Sequence, residues 1–237
     1  MIPLSKENTL VIVPAFNEAI SIEGVIQDLL SQEFLVLVIS DGSNDGTANV
    51  SRSAGVKVLE LPINLGVGGA LRAGFRFAVA ESYQAVVQVD ADGQHPPEEI
   101  VELLIAANTG QAHMVIGSRF RSNGTSMKVG AVRRLVMRFL AWSASKATGS
   151  EITDATSGFR IIREPLLGKY SQSFPTNYLG DTYEAIVSAG RAGYVVNEIP
   201  AAIRERVAGE SSASVTQAVK FTVKSLAVVF LRLHRRI

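Results

Sequence analysis

Residues 85–99 read AVVQVDADGQHPPEE, and the fold can be argued outward from them. Ala85–Val89 is a short apolar run bounded by turn formers, the pattern of a strand buried on both faces in a parallel sheet. His95-Pro96-Pro97-Glu98-Glu99 opens a helix, with proline in the first turn and carboxylates near its positive end. Asp90 and Asp92 lie between strand and helix, one residue apart. If Val87–Asp92 is extended, their side chains point the same way. In an open parallel sheet the crevice beyond the carboxyl ends of the strands is where ligands bind.

The same strand–turn–helix unit recurs on either side. Strands are expected at Leu10–Val13, Phe34–Ile39, Val56–Leu61 and Met114–Ile116, and helices at Ala19–Leu30, Gly66–Glu81 and Pro97–Ala107. That rhythm predicts an α/β fold with a Rossmann-like, mostly parallel sheet flanked by helices. Beyond residue 130 the pattern is less regular: a helix Ala131–Ala147, a strand Phe159–Ile162, a helix Thr182–Ala192, a strand Tyr194–Ile199 and a terminal helix from about Val215. A chain of 237 residues with 47% hydrophobic and 19% charged content buries a large core, which excludes a disordered or collagen-like chain. The absence of cysteine excludes disulfides, thiolate metal sites and a cysteine nucleophile. MIPLSKENTL has no basic stretch followed by an apolar run, so no secretory signal is expected and the location is expected to be cytoplasmic. No internal repeat or long linker divides the chain.

Two further acidic turns follow strands. Pro14-Ala15-Phe16-Asn17-Glu18 comes after the first, and Asp41-Gly42-Ser43-Asn44-Asp45-Gly46-Thr47 after the second. Each alone reads equally well as a polar turn or helix cap, but three on one sheet edge point to a ligand. Asp90 and Asp92 are hard oxygen donors suited to Mg²⁺ or Mn²⁺, and such a cation would hold a diphosphate. His95 alone is more often a packing residue than a ligand, and Gln94 and His95 are expected to line the sugar or diphosphate site. Asn64-Leu65-Gly66-Val67-Gly68-Gly69-Ala70 has the look of a phosphate loop but lacks the GK[ST] of a Walker motif and the glycine spacing of a dinucleotide fold, so close helix packing is its expected role.

Charge is unevenly distributed. Residues 1–100 hold 5 Lys/Arg against 13 Asp/Glu, and residues 101–237 hold 18 against 9. No acidic residue occurs from Leu103 to Ser150, where Arg119, Arg121, Lys128, Arg133, Arg134, Arg138 and Lys146 accumulate. This predicts an anionic partner, phosphate first of all. Nucleic acid is disfavoured, because no helix-turn-helix or aromatic-interleaved basic strand is present. The terminal stretch carries Lys220, Lys224, Arg232, Arg235 and Arg236 beside an apolar face, and its longest apolar run, Leu226–Leu231, is too short to span a bilayer. It reads as a basic amphipathic helix that lies on an anionic membrane, closes the fold, or pairs with a second copy in a homodimer.

Six strings, VPAFNE, DGSNDGT, NLGVGGALRAGF, DADGQHPPE, GSRF and TSGFR, occur in that order between Val13 and Arg160, and the resemblance they carry runs from about Thr9 to Ser212. As an ordered set they resemble glycosyltransferase family 2 enzymes of the GT-A fold, and within it the polyprenyl-phosphate glycosyltransferases, the group resembling dolichol-phosphate mannose synthase. The resemblance implies a GT-A catalytic domain over 1–212, with a nucleotide-sugar part at 1–118, an acceptor part at 119–212, and the basic helix at 213–237. It implies an inverting, metal-dependent hexosyl transfer, of glucose or mannose, from a UDP- or GDP-sugar. Pro14, Ala15, Asn17, Glu18 and Asp41 match the nucleotide pocket. Asp90, Ala91, Asp92 and Gln94 match the positions facing the donor diphosphate and the cation, with Asp90, Asp92 and Gln94 as the metal group. Arg119, with Arg133 or failing that Arg134, matches the acceptor-phosphate site, although Met137 stands where some relatives carry a serine. Asp154 would brace an arginine, or else form a buried structural pair. Arg206 and Ser211 match a loop that closes over the donor.

With a polyprenyl phosphate acceptor, dolichyl or undecaprenyl, the attacking oxygen is already anionic near neutrality and no general base is needed. The enzyme would then work at the inner membrane face as a peripheral protein. With a sugar hydroxyl acceptor, as in a soluble family 2 enzyme, Asp181 or Glu184 would be the base; both also read as plain helix N-terminal charges.

Overall fold

The computed structural model describes residues 1–121, 131–175 and 181–204, and of 131–133 the backbone alone. Seven strands form one sheet: β1 Thr9–Ala15, β2 Leu35–Asp41, β3 Lys57–Leu61, β4 Ala85–Gln88, β5 Met114–Ser118, β6 Arg160–Arg163 and β7 Val196–Pro200. Their order is β3-β2-β1-β4-β6-β5-β7. Every pairing is parallel except those of β6, which runs antiparallel to both β4 and β5. The helices are α1 Ile22–Ser31, α2 Thr47–Ser53, α3 Val67–Ala80, α4 Glu98–Thr109, α5 Ala131–Thr148, α6 Leu166–Ser173 and α7 Asp181–Arg191.

Alternation along the strands builds two cores. Leu10 and Ile12 of β1 join Leu37 and Ile39 of β2 against Leu71 and Phe75 of α3 and Tyr170 of α6. Val11 and Val13 join Val36 and Val38 against Ile26 and Leu29 of α1 and Ile100 and Leu103 of α4 on the other face. Both faces are apolar because both are covered, hence the continuous apolar runs. A slip of one residue would exchange the two cores, and with each buried aliphatic side chain contributing about 1.5–3 kcal/mol, the register is firmly set.

Two helices escape the sequence reading. α2, TANVSRS, has no apolar stripe, and α6, LLGKYSQS, is too short to show a period. The direction of β6 also escapes it, because a pattern of apolar residues marks a strand without saying which way it runs. That direction matters for the site. The carboxyl ends of the six parallel strands share one edge, and β6 enters the sheet from that same edge. The chain order turns outward from β1 in both directions, so the switch point lies between β1 and β4.

Candidate active site

The acidic turn after β4 differs in one respect from the sequence expectation. The extended backbone does not continue through Asp92: regular strand ends at Gln88, and Ala91 and Asp92 lie in a turn. Gly93, with φ at +78°, helps bring the chain round, and His95 closes the turn by accepting the Asp90 N–H at Nδ1, 3.1 Å away. The alternation that was to align the two carboxylates is therefore replaced by a tight turn. The Asp90 side chain is 40% exposed, whereas Asp92 is buried and accepts the Gln94 N–H at 3.0 Å. His95 is a packing residue: accepting at Nδ1 places its proton on Nε2, 3.9 Å from Asp90 Oδ2, and its ring stacks on Phe159 at 4.8 Å. Gln94 turns its side-chain amide to the carbonyl of Arg204, 3.5 Å away, and accepts the Arg204 N–H at its own carbonyl. The acidic turn is thereby joined to the segment that follows β7.

Across the switch point, the loops after β1 and β2 hold each other. Pro14 and Ala15 end β1, and Asn17, at φ +56°, donates its N–H to Ser43 Oγ at 3.1 Å and accepts the Asn44 N–H at 3.0 Å. The Glu18 N–H reaches Thr47 Oγ1 at 2.9 Å, and the Ala19 N–H reaches Asp45 Oδ2 at 3.0 Å. Asp41 is buried at the end of β2 and accepts the Leu65 N–H at 2.8 Å. Burial pushes its carboxyl above the usual range, against the N–H groups of Leu65 and Gly66 that hold it down. The glycine-rich loop thus directs backbone donors at a carboxylate of its own chain, and so is unlike a phosphate cradle. Gly42 makes the close approach feasible: its φ is +69°, and a Cβ there would lie 2.5 Å from the Asn64 nitrogen.

On the far side of β4, Arg119 follows β5 and is clamped by Asp154. Its Nε donates to Oδ2 at 2.7 Å and its Nη2 to Oδ1 at 2.9 Å, with Thr156 Oγ1 at 3.0 Å. The Asp154 side chain has no exposure, and that of Arg119 has 28%. Burial works against the guanidinium charge, but Asp154, together with the more distant charge of Asp90, holds its pKa above the ordinary value. A guanidinium has five N–H donors in a planar fork, and clamping along its Nε edge fixes the orientation of that fork. The loop holding Asp154 is itself held by Glu198 of β7, which accepts from the Thr153 N–H at 2.8 Å, Thr153 Oγ1 at 2.6 Å and the Asp154 N–H at 3.0 Å. Sequence reasoning missed Glu198. Its signal is a glutamate two residues from buried Val196, on the same side of β7.

Asp181 begins α7 and is 2% exposed. Its Oδ1 accepts the Thr182 N–H at 2.8 Å, while its Oδ2 is buried with no hydrogen-bond partner among the described residues. Burial raises its pKa, opposed by Arg160 and by Thr182. Arg160, also missed, is wholly buried: Nε donates to Gln88 Oε1 at 3.1 Å and Nη1 to the Thr182 carbonyl at 3.3 Å. It ties the end of β4 to the start of α7. Glu184 lies one turn further along α7 and is partly exposed. Arg134 is on the exposed side of α5. The side chain of Arg133, the residues Arg206 and Ser211, and the segment 213–237 lie outside the described residues.

Asp90 and Asp92 suit a hard divalent cation. Gly158 leaves room at the Asp90 oxygens, since a Cβ there would stand 3.2 and 3.3 Å from them. Among the described residues no three His, Cys, Asp or Glu side chains gather as a metal cluster. A cation on this turn would complete its shell with phosphate oxygens and water, the habit of Mg²⁺.

Comparison with known proteins agrees with this layout. A family model for glycosyl transferase family 2 matches residues 10–171. Undecaprenyl-phosphate mannosyltransferase of Micrococcus luteus is 32% identical over 218 residues, covering 86% of this chain and 87% of the relative. Polyprenol monophosphomannose synthase of Mycolicibacterium smegmatis is 32% identical over 222 residues, covering 88% and 82%. Among solved structures, glucosyl-3-phosphoglycerate synthase from Mycobacterium tuberculosis, in complex with Mn²⁺, uridine diphosphate and glucosyl-3-phosphoglycerate, matches with a TM-score of 0.70 at 19% identity, covering 95% of this chain and 79% of that one. That likeness shows the fold, which is GT-A. With the ordered motifs now seen on one sheet edge, the chain is a glycosyltransferase and belongs to glycosyl transferase family 2.

Proposed function

We propose that this glycosyltransferase moves a hexose, glucose or mannose, from a UDP- or GDP-sugar to a polyprenyl phosphate at the cytoplasmic membrane face, inverting the anomeric centre. The observation that carries the reading is the Arg119–Asp154 clamp, a cationic fork held rigidly on the same sheet edge as the acidic turn of Asp90 and Asp92. The names of two relatives, an undecaprenyl-phosphate mannosyltransferase and a polyprenol monophosphomannose synthase, support it. In this reading Asn17, Glu18 and Asp41, with Pro14 and Ala15, border the nucleotide, and Arg119 orients the acceptor phosphate, aided by Arg133 or Arg134.

An acceptor phosphate oxygen attacks C1 from the face opposite the diphosphate. The new C1–O bond forms as the old one breaks, and the electron pair leaves on the nucleoside diphosphate. Mg²⁺ or Mn²⁺ held by Asp90 and Asp92, with Gln94 beside them, would neutralise charge on that leaving group. Positioning by arginine suffices for the nucleophile, which carries no proton to remove. Asp181 then serves as a buried partner of Arg160 rather than as a base.

The test is a transfer assay with Mg²⁺ or Mn²⁺ and a panel of radiolabelled UDP- and GDP-hexoses, with and without undecaprenyl phosphate, followed by organic extraction. Metal- and lipid-dependent label in the organic phase is the expected result. Release of nucleoside diphosphate with none in that phase would overturn the lipid acceptor and return Asp181 and Glu184 to consideration as bases.

A further inference from the structure

α5 buries one side only. Leu140 and Ala144 lie in the core, and Val136, Phe139 and Ala147 pack against it. The opposite side presents Arg134, Leu135, Arg138, Trp142 and Lys146, all exposed. At 3.6 residues per turn these five fall within one arc of about 120° running about 16–18 Å along the helix. Leu135 is 68% exposed and Trp142, the single tryptophan of the sequence, is 57% exposed.

An ordinary solvated helix face interleaves charges of both signs. This helix carries no carboxylate of its own, because no acidic residue occurs between Leu103 and Ser150. It sets a leucine and a tryptophan among three cations, the composition of a helix that lies in the plane of an anionic membrane interface. No helix among the described residues is long and apolar enough to cross a membrane, so any attachment through these residues is made from the surface.

We propose that this face of α5 docks on an anionic lipid bilayer. Leu135 and Trp142 enter the boundary between headgroups and acyl chains, and Arg134, Arg138 and Lys146 sit at the level of the lipid phosphates. The purpose of the contact rests on the lipid-acceptor reading, since an acceptor dissolved in a membrane must be met at its surface. The contact itself is measured with neither acceptor nor donor present.

A single tryptophan makes the test specific to its position. The full chain is titrated with vesicles of phosphatidylcholine mixed with phosphatidylglycerol and with vesicles of phosphatidylcholine alone, following Trp142 emission and co-sedimentation. The mixed vesicles are expected to shift the emission to shorter wavelength and to sediment the protein, and the neutral ones to do far less. With about a fivefold gain per basic residue near an acidic surface, Arg138→Gln with Lys146→Gln weakens binding about 25-fold. Leu135→Ser and Trp142→Ser weaken sedimentation as well, and all of these variants keep wild-type transfer to a short-chain acceptor dispersed in detergent. Vesicle binding that leaves Trp142 emission unchanged, or that survives the double neutralisation, would overturn the proposal by locating the contact elsewhere. An emission shift that grows with protein concentration without vesicles would overturn it in favour of a second copy. Failure of transfer to polyprenyl phosphate with vesicle binding intact would count against the function and not against this surface.

Discussion

Replacing Arg119 and Asp154 singly and together separates what the pair does for the fold from the acceptor role proposed for Arg119. Asp154 has no side-chain exposure, so Arg119→Ala strands a buried carboxylate. Such losses cost about 3–5 kcal/mol. The lower end applies, because Thr156 still donates to Asp154 from its N–H at 3.3 Å and its Oγ1 at 3.0 Å. A loss of about 3 kcal/mol in a chain of this size lowers Tm by about 6–12 °C. Asp154→Ala leaves Arg119, which is 28% exposed and can turn toward water, so its cost is smaller, about 1–2 kcal/mol. The double variant removes both charges and is expected to regain most of the loss seen in Arg119→Ala. Thermal unfolding of the four proteins reads that cycle. Transfer to polyprenyl phosphate reads the other role: it is lost in Arg119→Ala and stays lost in the double variant, while binding of the nucleoside diphosphate is kept in all four. Recovery of transfer along with stability would refute the placement of Arg119 on the acceptor, and equal stability of the two single variants would refute the reasoning from burial.

Three further outcomes are expected. Gly158→Ala sets a methyl group 3.0 Å from Gln88 Nε2 and 3.2 Å from Asp90 Oδ1 without a backbone penalty, since Gly158 has no positive φ; crowding Asp90 lowers metal affinity about 10–100-fold, to be measured as Mn²⁺ binding by electron paramagnetic resonance, and crowding the buried Gln88 lowers stability by about 1–3 kcal/mol. Asp92→Asn keeps an oxygen to accept the Gln94 N–H and so should fold normally while losing metal-dependent turnover; full activity would remove the cation from the acidic turn. Asp41 has a folded pKa raised by burial, so the folded state holds its proton more tightly than the unfolded chain. The wild type should therefore lose stability relative to Asp41→Asn as pH rises between the unfolded and folded values, with a constant difference above; unfolding of the two proteins across the acidic range up to neutrality measures it.

The strands and the longer helices are legible because each covers one sheet face or the other and must repeat apolar residues at its own period. α2 shows the limit: it is held at its start, with Thr47 bonded to Glu18 and Asp45, and such bonds leave no periodic trace. The acidic turn is legible as a site, but not its shape, because His95 closes it through a ring nitrogen that a sequence pattern cannot aim. Arg119 and Asp154 are legible through their motifs. Glu198, which holds the Asp154 loop, and Arg160, which ties β4 to α7, come from strands distant in sequence, and that loop lies on the site's edge because β6 runs backward, which no local pattern encodes.

That reversal has a functional consequence. Because β6 enters from the edge where the parallel strands leave, the segment before it lies across the site. Asp154 and Thr156 hold Arg119, and two residues on, Gly158 stands against Asp90. Arg160 then carries a buried charge between Gln88 and Thr182, close enough for Asp90 and Asp181 both to act on it. If Arg119 serves the acceptor and Asp90 the donor, as proposed, one short stretch sets the position of groups for both substrates. Substitutions within it are expected to change the apparent affinity for donor and acceptor together, whereas Asp92→Asn acts on the donor side and Arg119→Ala on the acceptor side. Separate KM values for the two substrates distinguish these patterns, and a Thr156→Ala variant that raised only the acceptor KM would show that the segment serves one side alone.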